Sequence, residues 1–132
     1  MSSSVGPSNS NASPCVAIVD DDEAVRDALG NLLRSVGLEV QAFSTAESFL
    51  ASPKRRSVAC LVSDIQMPGM DGLELQQRLA ASGSRLPVIL MTAFPGDHVR
   101  RQAEEQGALA ILAKPFDGSR MIECVQRALQ PA

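Results

Sequence analysis

The stretch LVSDIQMPGMDGLEL, residues 61–75, decides how this chain folds. It contains the end of a short run, residues 58–63, that is nearly continuous in apolar side chains, as in a strand covered on both faces. Asp64 follows this run, and a segment of helical period then extends over residues 73–81. A strand followed by a helix is the repeating unit of a parallel α/β sheet.

The same alternation continues in both directions from this unit. Further strands are predicted at residues 16–20, 39–43, 87–92 and 108–113. Further helices are predicted at residues 23–36, 44–51, 97–106 and 119–129. The second strand, EVQAF, alternates in polarity more than the others and is therefore expected at an edge of the sheet.

Local signals set the ends of two helices. Apolar side chains at helical spacing from Val25 to Val36 predict the buried face of the first helix, and Gly37 is expected to end it. At the second helix, Ser44 and Glu47 have the spacing of a capping box, in which both side chains bind unpaired backbone N–H groups.

The length of 132 residues predicts one domain with one core. Residues 1–14 are rich in Ser, Asn, Gly and Pro and are expected to be a flexible tail, with the folded domain over residues 15–130 and no output domain after it. There is neither a secretory signal nor an apolar run long enough for a membrane span. A cytoplasmic location is therefore predicted.

Charge and cysteine content exclude further classes. Twelve basic against fifteen acidic residues give a net charge of −3, and no basic run could neutralise a row of DNA phosphates. Direct nucleic-acid binding is not expected. Cys15, Cys60 and Cys124 are odd in number and lack metal-ligand spacing, so they are interpreted as reduced thiols without a catalytic role.

Carboxylates lie where the first and third strands end. Asp20, Asp21 and Asp22 close the first strand, and Asp64 closes the third. In an open parallel sheet the functional crevice lies beyond these carboxyl ends. Two carboxylates about 5 Å apart repel by roughly 3 kcal/mol at an effective dielectric constant near 20. A hard divalent cation would compensate, and an open site with few protein ligands suits Mg²⁺.

The acidic run VDDDE also fits the solvated start of a helix, where negative charge complements the helix dipole. The other strand ends favour a site, because Thr92 closes the fourth strand and Lys114 closes the fifth. An aspartate can attack phosphorus to form an acyl phosphate. A metal ion, a lysine and a hydroxyl can neutralise and bind the phosphoryl oxygens.

Four motifs carry a resemblance to a known family: VAIVDDDEAVRDAL, LVSDIQMPGMDGLEL, VILMTA and LAKPFD. In order and spacing the chain resembles the receiver domains of two-component response regulators, most of all the FixJ-type receivers, over residues 15–129. The resemblance implies a flavodoxin-like, doubly wound fold with a five-stranded parallel sheet in the order 2-1-3-4-5. It also implies a cis peptide bond before Pro115.

The resemblance further implies the role of each site residue. Asp64 would be the phosphoacceptor, and Thr92 and Lys114 would contact the phosphoryl group. The implied Mg²⁺ ligands are three carboxylates and one backbone carbonyl: Asp20, Asp21, Asp64 and Gln66.

The function implied is a stand-alone phosphorylation switch rather than an enzyme, with only self-catalysed phosphorylation and slow dephosphorylation. A sensor histidine kinase or phosphotransfer protein would supply the phosphoryl group, and a downstream protein would receive the signal. Transient homodimerisation through the fourth and fifth elements stays open. One alternative is a pseudo-receiver that binds partners without phosphate. Another is a small haloacid-dehalogenase-like phosphohydrolase, which would need an Asp at the position of Gln66.

Two positions decide how the switch would work. Many receivers have an aromatic residue three positions before the lysine, where this chain has Ile111. Coupling between the phosphorylation site and the surface would then either depend on the size of an aliphatic side chain or give a weaker output. Phe94, two residues after Thr92, is hypothesised to restrict the attacking water, against the alternative that it is ordinary packing. His98, the only histidine, is assigned no role.

Overall fold

Five parallel strands form the centre of the fold in the computed structural model, which describes residues 13–130. The strands are β1 (Cys15–Val19), β2 (Glu39–Phe43), β3 (Val58–Asp64), β4 (Val88–Thr92) and β5 (Ala110–Ala113). The helices are α1 (Glu23–Ser35), α2 (Ala46–Ala51), α3 (Gly72–Ala81), α4 (Asp97–Glu105) and α5 (Gly118–Leu129), with a 3-10 helix at Pro53–Ser57. The predicted tail lies outside the described residues except for its last two.

The strand order is β2-β1-β3-β4-β5, which confirms the predicted topology and places β2 at an edge. Predicted and observed strand bounds agree within two residues. The largest difference is at β5, which begins at Ala110 rather than at Ala108. The reason is that the Ala108 N–H donates to the Ala103 carbonyl at 3.0 Å and so completes the end of α4 instead of joining the sheet.

Two apolar clusters pack on the two faces of the sheet, as alternating strand side chains require. One face is covered by α1 and α5 through buried residues such as Leu29, Leu33 and Met121. The other is covered by α2, α3 and α4 through residues such as Phe49 and Leu75. Each helix therefore lies against one face of the sheet.

The predicted capping box at the second helix is wrong. Thr45 is the N-cap and accepts from the Ser48 N–H at 3.0 Å. Glu47 instead accepts from the backbone N–H of Met70 at 3.1 Å, which ties α2 to the loop after β3. A complete capping box occurs at α3, between Asp71 and Glu74.

The end of α1 also differs from its prediction. The helix ends at Ser35, so Val36 leaves the apolar stripe and is 41% exposed. Gly37 follows with a φ of 88°, the left-handed conformation that ends many helices.

Gly72 allows α3 to begin directly against the end of β3. A Cβ atom at this position would lie 2.3 Å from the carbonyl oxygen of Asp64. The Gly72 N–H donates to the Ile65 carbonyl at 2.9 Å. The backbone of Asp64 is therefore held by a contact that only glycine permits.

Two further expectations concern the backbone and the membrane. The Lys114–Pro115 peptide bond is cis, as the resemblance implies. Among residues 13–130, every helix falls short of the length and apolarity needed to cross a bilayer.

Candidate functional site

Four polar side chains converge at the carboxyl edge of the sheet because neighbouring parallel strands end there together. Asp20 follows β1, Asp64 and Thr92 are the last residues of β3 and β4, and Lys114 follows β5. Backbone hydrogen bonds continue past the strand ends, and the Lys114 N–H donates to the Thr92 carbonyl at 2.8 Å. The sheet register therefore brings together residues that are far apart in sequence.

The acidic half of the site consists of Asp20, Asp21, Asp64 and Lys114. One carboxylate oxygen from each of the three aspartates lies within 4.8 Å of the others. Asp20 is fully buried and Asp64 is 3% exposed, whereas Asp21 is exposed. The Asp64 Oδ1 atom is buried and has no hydrogen-bond partner among the described residues.

This donor set fits a hard divalent cation. Three carboxylates at one open edge offer the oxygen ligands that Mg²⁺ takes while it keeps several waters. Asp20, Asp21 and Asp64 would hold the ion. The Gln66 carbonyl as a further ligand stays a prediction.

Lys114 neutralises part of this charge. Its Nζ lies 3.1 Å from Asp20 Oδ2 and 3.5 Å from Asp64 Oδ2. Burial of the ammonium group lowers the Lys114 pKa. The negative charges of Asp20 and Asp64, and the hydrogen bonds that Lys114 donates to them, outweigh the effect of burial, so the Lys114 pKa is raised overall. Lys114 is therefore a fixed positive charge beside the two buried carboxylates.

The pKa of Asp64 is raised above its ordinary value, first by burial and then by the negative charge of Asp20. The charge and hydrogen bond of Lys114 oppose this shift without cancelling it. One ammonium group thus does not fully compensate the carboxylates. A bound cation would supply the missing positive charge.

Two hydrogen bonds that were not predicted from the sequence hold Asp20, one from a backbone N–H and one from a side chain. Its Oδ1 accepts from the Asp22 N–H at 2.9 Å, and Arg26 Nη1 donates to its carbonyl at 2.7 Å. The Asp22 contact spans two residues, a local pattern that Asp often forms. No sequence signal points to Arg26, whose reach depends on how α1 packs beside β1.

The switch half of the site consists of Gln66, Thr92 and Phe94. Thr92 is fully buried, and its hydroxyl donates to Gln66 Oε1 at 3.0 Å. The same hydroxyl oxygen accepts from the Phe94 N–H at 3.0 Å. Phe94 is 72% exposed, so it is not the ordinary packing residue that the alternative interpretation proposed. The Gln66 contact had no signal in the sequence.

Other singled-out residues lie apart from this chemistry. Ile111 is partly buried and packs against the cluster under α2, α3 and α4. His98 is exposed on α4. The three cysteines are free; Cys60 and Cys124 are buried, and burial raises the pKa of Cys60 to about 12, as suits an unreactive thiol.

The fold and the acidic edge define a class: a doubly wound α/β protein in which three carboxylates and one lysine lie together at the carboxyl ends of the strands. Residues 16–126 match the response regulator receiver domain. The chain belongs to this family, whose function is phosphorylation-dependent signalling in two-component systems. The family binds Mg²⁺ at its acidic pocket and interacts with histidine kinases and downstream effectors.

Individual relatives agree with this assignment. The chain is 38% identical over 117 residues to the transcriptional regulatory protein FixJ of Bradyrhizobium diazoefficiens, covering 89% of this chain and 57% of FixJ. It is 35% identical over 123 residues to the response regulator protein TodT of Pseudomonas putida F1, covering 93% of this chain and 54% of TodT. The chain thus spans about half the length of these relatives.

Solved structures agree as well. The crystal structure of FixJ-N is similar with a TM-score of 0.80 and 34% identity, covering 92% of this chain and 98% of that one. The crystal structure of a response regulator receiver protein from Burkholderia phymatum is similar with a TM-score of 0.77 and 41% identity, covering 90% of this chain and 97% of that one. The structure of the response regulator StyR is similar with a TM-score of 0.83 and 40% identity, covering 90% of this chain and 60% of that one.

Proposed function

We propose that Asp64 accepts the phosphoryl group in this receiver domain and that Thr92 and Lys114 bind it. The observation that carries the proposal is the environment of Asp64. Its Oδ1 is buried without a partner among the described residues, while its Oδ2 lies 3.5 Å from the Lys114 ammonium. One oxygen is thus free to form a bond, and a cation lies where the new negative charge would develop.

The reaction is a phosphoryl transfer to a carboxylate. An Asp64 carboxylate oxygen forms a bond to phosphorus, and the bond from phosphorus to the donor, a phosphohistidine nitrogen, breaks with its electrons staying on nitrogen. Bound Mg²⁺ supplies positive charge for the phosphoryl oxygens. Lys114 adds a second cation, and the Thr92 hydroxyl donates a hydrogen bond to one oxygen.

The phosphoryl group then changes the surface of the domain. It adds about −1.5 to −2 of charge at the carboxyl edge of the sheet. Shifting a two-state equilibrium from 1:99 to 99:1 needs roughly 5.5 kcal/mol of differential stabilisation. Three or four charge-assisted hydrogen bonds made in only one state are of that order. Thr92 and Lys114 would transmit the change to α4, β5 and α5. Ile111 would respond through the size of its aliphatic side chain, since it has no aromatic ring.

The partners proposed are a sensor histidine kinase or phosphotransfer protein as donor and a downstream protein as receiver of the signal. The net charge of −3 argues against direct contact of this domain with nucleic acid or a membrane surface. Transient homodimerisation would use α4, β5 and α5. In this role the domain catalyses only its own phosphorylation and slow dephosphorylation.

The test is intact mass after incubation with Mg²⁺ and acetyl phosphate. The wild type and Asp27→Ala, which removes an exposed aspartate on α1, are expected to gain one phosphoryl group. Asp64→Ala and a metal-free sample are expected to gain none. An unmodified wild type under every donor and metal would instead favour a pseudo-receiver, and an adduct on Asp64→Ala would assign the acceptor elsewhere.

A further inference from the structure

The Thr92 hydroxyl is already occupied in this structure. It donates its single proton to Gln66 Oε1 at 3.0 Å, and its oxygen accepts from the Phe94 N–H at 3.0 Å. A hydroxyl has one proton to donate. Thr92 therefore cannot donate to a phosphoryl oxygen while it donates to Gln66.

Gln66 is well placed to keep this bond. Its neighbours Ile65 and Met67 are 3% and 9% exposed, and the Ile65 N–H donates to the Met91 carbonyl at 2.8 Å. The backbone around Gln66 is thus anchored to β4. The exposed Gln66 side chain reaches from the end of β3 to the fully buried Thr92 at the end of β4.

We propose that Gln66 is a positioning residue that acts through Thr92: its amide oxygen holds the Thr92 hydroxyl in the unphosphorylated arrangement and competes with the phosphoryl group for the same proton. The inference rests on the proposed function, since it needs a phosphoryl group on Asp64. Gln66 thereby sets how strongly the bound phosphoryl group stabilises the switched state.

The chemistry of Gln66 suits a reversible contact. Its amide oxygen is a neutral acceptor on an exposed side chain, so the bond is of ordinary strength and a charged phosphoryl oxygen is the stronger acceptor. A carboxylate here would bind the hydroxyl more firmly and add a negative charge near Asp64. Methionine has similar length and no comparable acceptor, which makes Gln66→Met the informative change.

The test measures binding of beryllofluoride in the presence of Mg²⁺, where beryllofluoride stands for the phosphoryl group on Asp64. Loss of one competing hydrogen bond is expected to make Gln66→Met bind about threefold to tenfold more tightly than the wild type. Gln77→Met, on the exposed side of α3, is the matched control and is expected to bind as the wild type does.

A second pair of variants separates action through Thr92 from direct action on the phosphoryl group. In a Thr92→Val background the hydroxyl is absent, so Gln66→Met is expected to make no difference to binding. An unchanged or weaker affinity of Gln66→Met alone would overturn the proposal. An equal gain in the Thr92→Val background would also overturn it, because Gln66 would then act without Thr92.

A measurement without metal or phosphate distinguishes failure of this inference from failure of the proposed function. By NMR, Gln66→Met is expected to release Thr92 into more than one side-chain rotamer and to shift the Phe94 amide signal. If beryllofluoride binds neither to the wild type nor to any variant, the proposed function fails. The NMR measurement alone then decides whether Gln66 holds the Thr92 hydroxyl. A single unchanged Thr92 rotamer in Gln66→Met would overturn the inference whatever happens at Asp64.

Discussion

The two halves of the site are held by different forces. The acidic half is made of charges, and all of them except that of the exposed Asp21 are buried or partly buried, with Lys114 Nζ 3.1 Å and 3.5 Å from two carboxylates. The switch half is made of neutral hydrogen bonds of 3.0 Å, and two of its three residues, Gln66 and Phe94, are exposed. Removing the counter-charge of buried carboxylates costs a few kcal/mol, whereas a neutral hydrogen bond contributes about 1 kcal/mol.

We therefore expect the acidic half to determine whether the domain is phosphorylated. We expect the switch half to determine how tightly the phosphoryl group is bound and how long it persists. Changes in the acidic half should abolish phosphorylation or destabilise the fold. Changes in the switch half should alter affinity or lifetime by factors of a few and leave the fold intact. Three variants test that division, and a fourth, at Gly72, tests the backbone contact that holds Asp64; they follow in order of decreasing consequence.

Asp64→Asn should have the largest effect on function, because an amide does not replace the carboxylate nucleophile. We expect complete loss of the phosphoryl adduct by intact mass. In Mg²⁺-free buffer we also expect a Tm about 4 °C higher, the effect of roughly 1 kcal/mol, since a buried like charge beside Asp20 is removed. A lower Tm would show that Asp64 stabilises the fold.

The pH dependence of this gain checks its origin. The folded protein holds the Asp64 proton more tightly than the unfolded chain, because its pKa is raised above 3.8. Wild-type stability therefore falls as pH rises through the window between the two pKa values, and the Asn variant has no such loss. The Tm difference should be larger at pH 7 than at pH 4. Equal differences would contradict an electrostatic cause.

Gly72→Ala should destabilise the fold most, because its Cβ would lie 2.3 Å from the Asp64 carbonyl oxygen. We expect a loss of about 3 kcal/mol in the free energy of unfolding, measured by urea denaturation, and weaker phosphorylation. Gly96→Ala is the matched control, since nothing lies within 4 Å of a Cβ there. A stable, fully active Gly72→Ala would show that α3 can move away without disturbing Asp64.

Lys114→Met should destabilise the protein by about 2 kcal/mol in the absence of metal, because two buried carboxylates lose their counter-charge. Mg²⁺ should then raise the Tm of this variant more than that of the wild type. Lys54→Met, at the chain's other lysine, is exposed and should change neither value. A Mg²⁺ response equal to that of the wild type would mean that the lysine and the metal do not share the same charges.

Phe94→Ala should have the smallest effect on stability, within about 0.5 kcal/mol, because the side chain is 72% exposed. We hypothesise that the ring restricts the water that attacks the acyl phosphate, so phosphate loss should become severalfold faster in the variant. The measurement is the decay of the intact-mass adduct after the donor is removed. The same or slower decay would remove the hypothesis.

The acidic half was predictable from sequence, whereas in the switch half the position of Thr92 was predictable and its contact with Gln66 was not. Strand ends are visible in sequence because apolar runs stop there, so the pattern alone places Asp20, Asp64, Thr92 and Lys114 at one edge of the sheet. The strand order came from the resemblance and is confirmed. The Gln66 contact depends on the reach of one exposed side chain, which no periodicity encodes.

Two other predictions, for Glu47 and Val36, were wrong because spacing in the sequence does not determine which partner a side chain meets or where a helix ends. Glu47 has capping-box spacing from Ser44, yet it binds the Met70 N–H because the loop after β3 folds over the start of α2. Val36 has helical spacing, yet it lies beyond the last turn of α1 and is exposed. Short-range patterns fail where a tertiary contact offers a competing partner or where a helix ends one residue early.

The exposure of Phe94 has a practical consequence for spectroscopy. The chain contains no Trp and no Tyr, so Phe94→Trp would introduce its only indole. That indole would lie in solvent, on a residue whose backbone N–H donates to the Thr92 hydroxyl oxygen. Its fluorescence would be free of background from other residues, and a quenching or wavelength change on addition of acetyl phosphate would follow the switch in real time without any label.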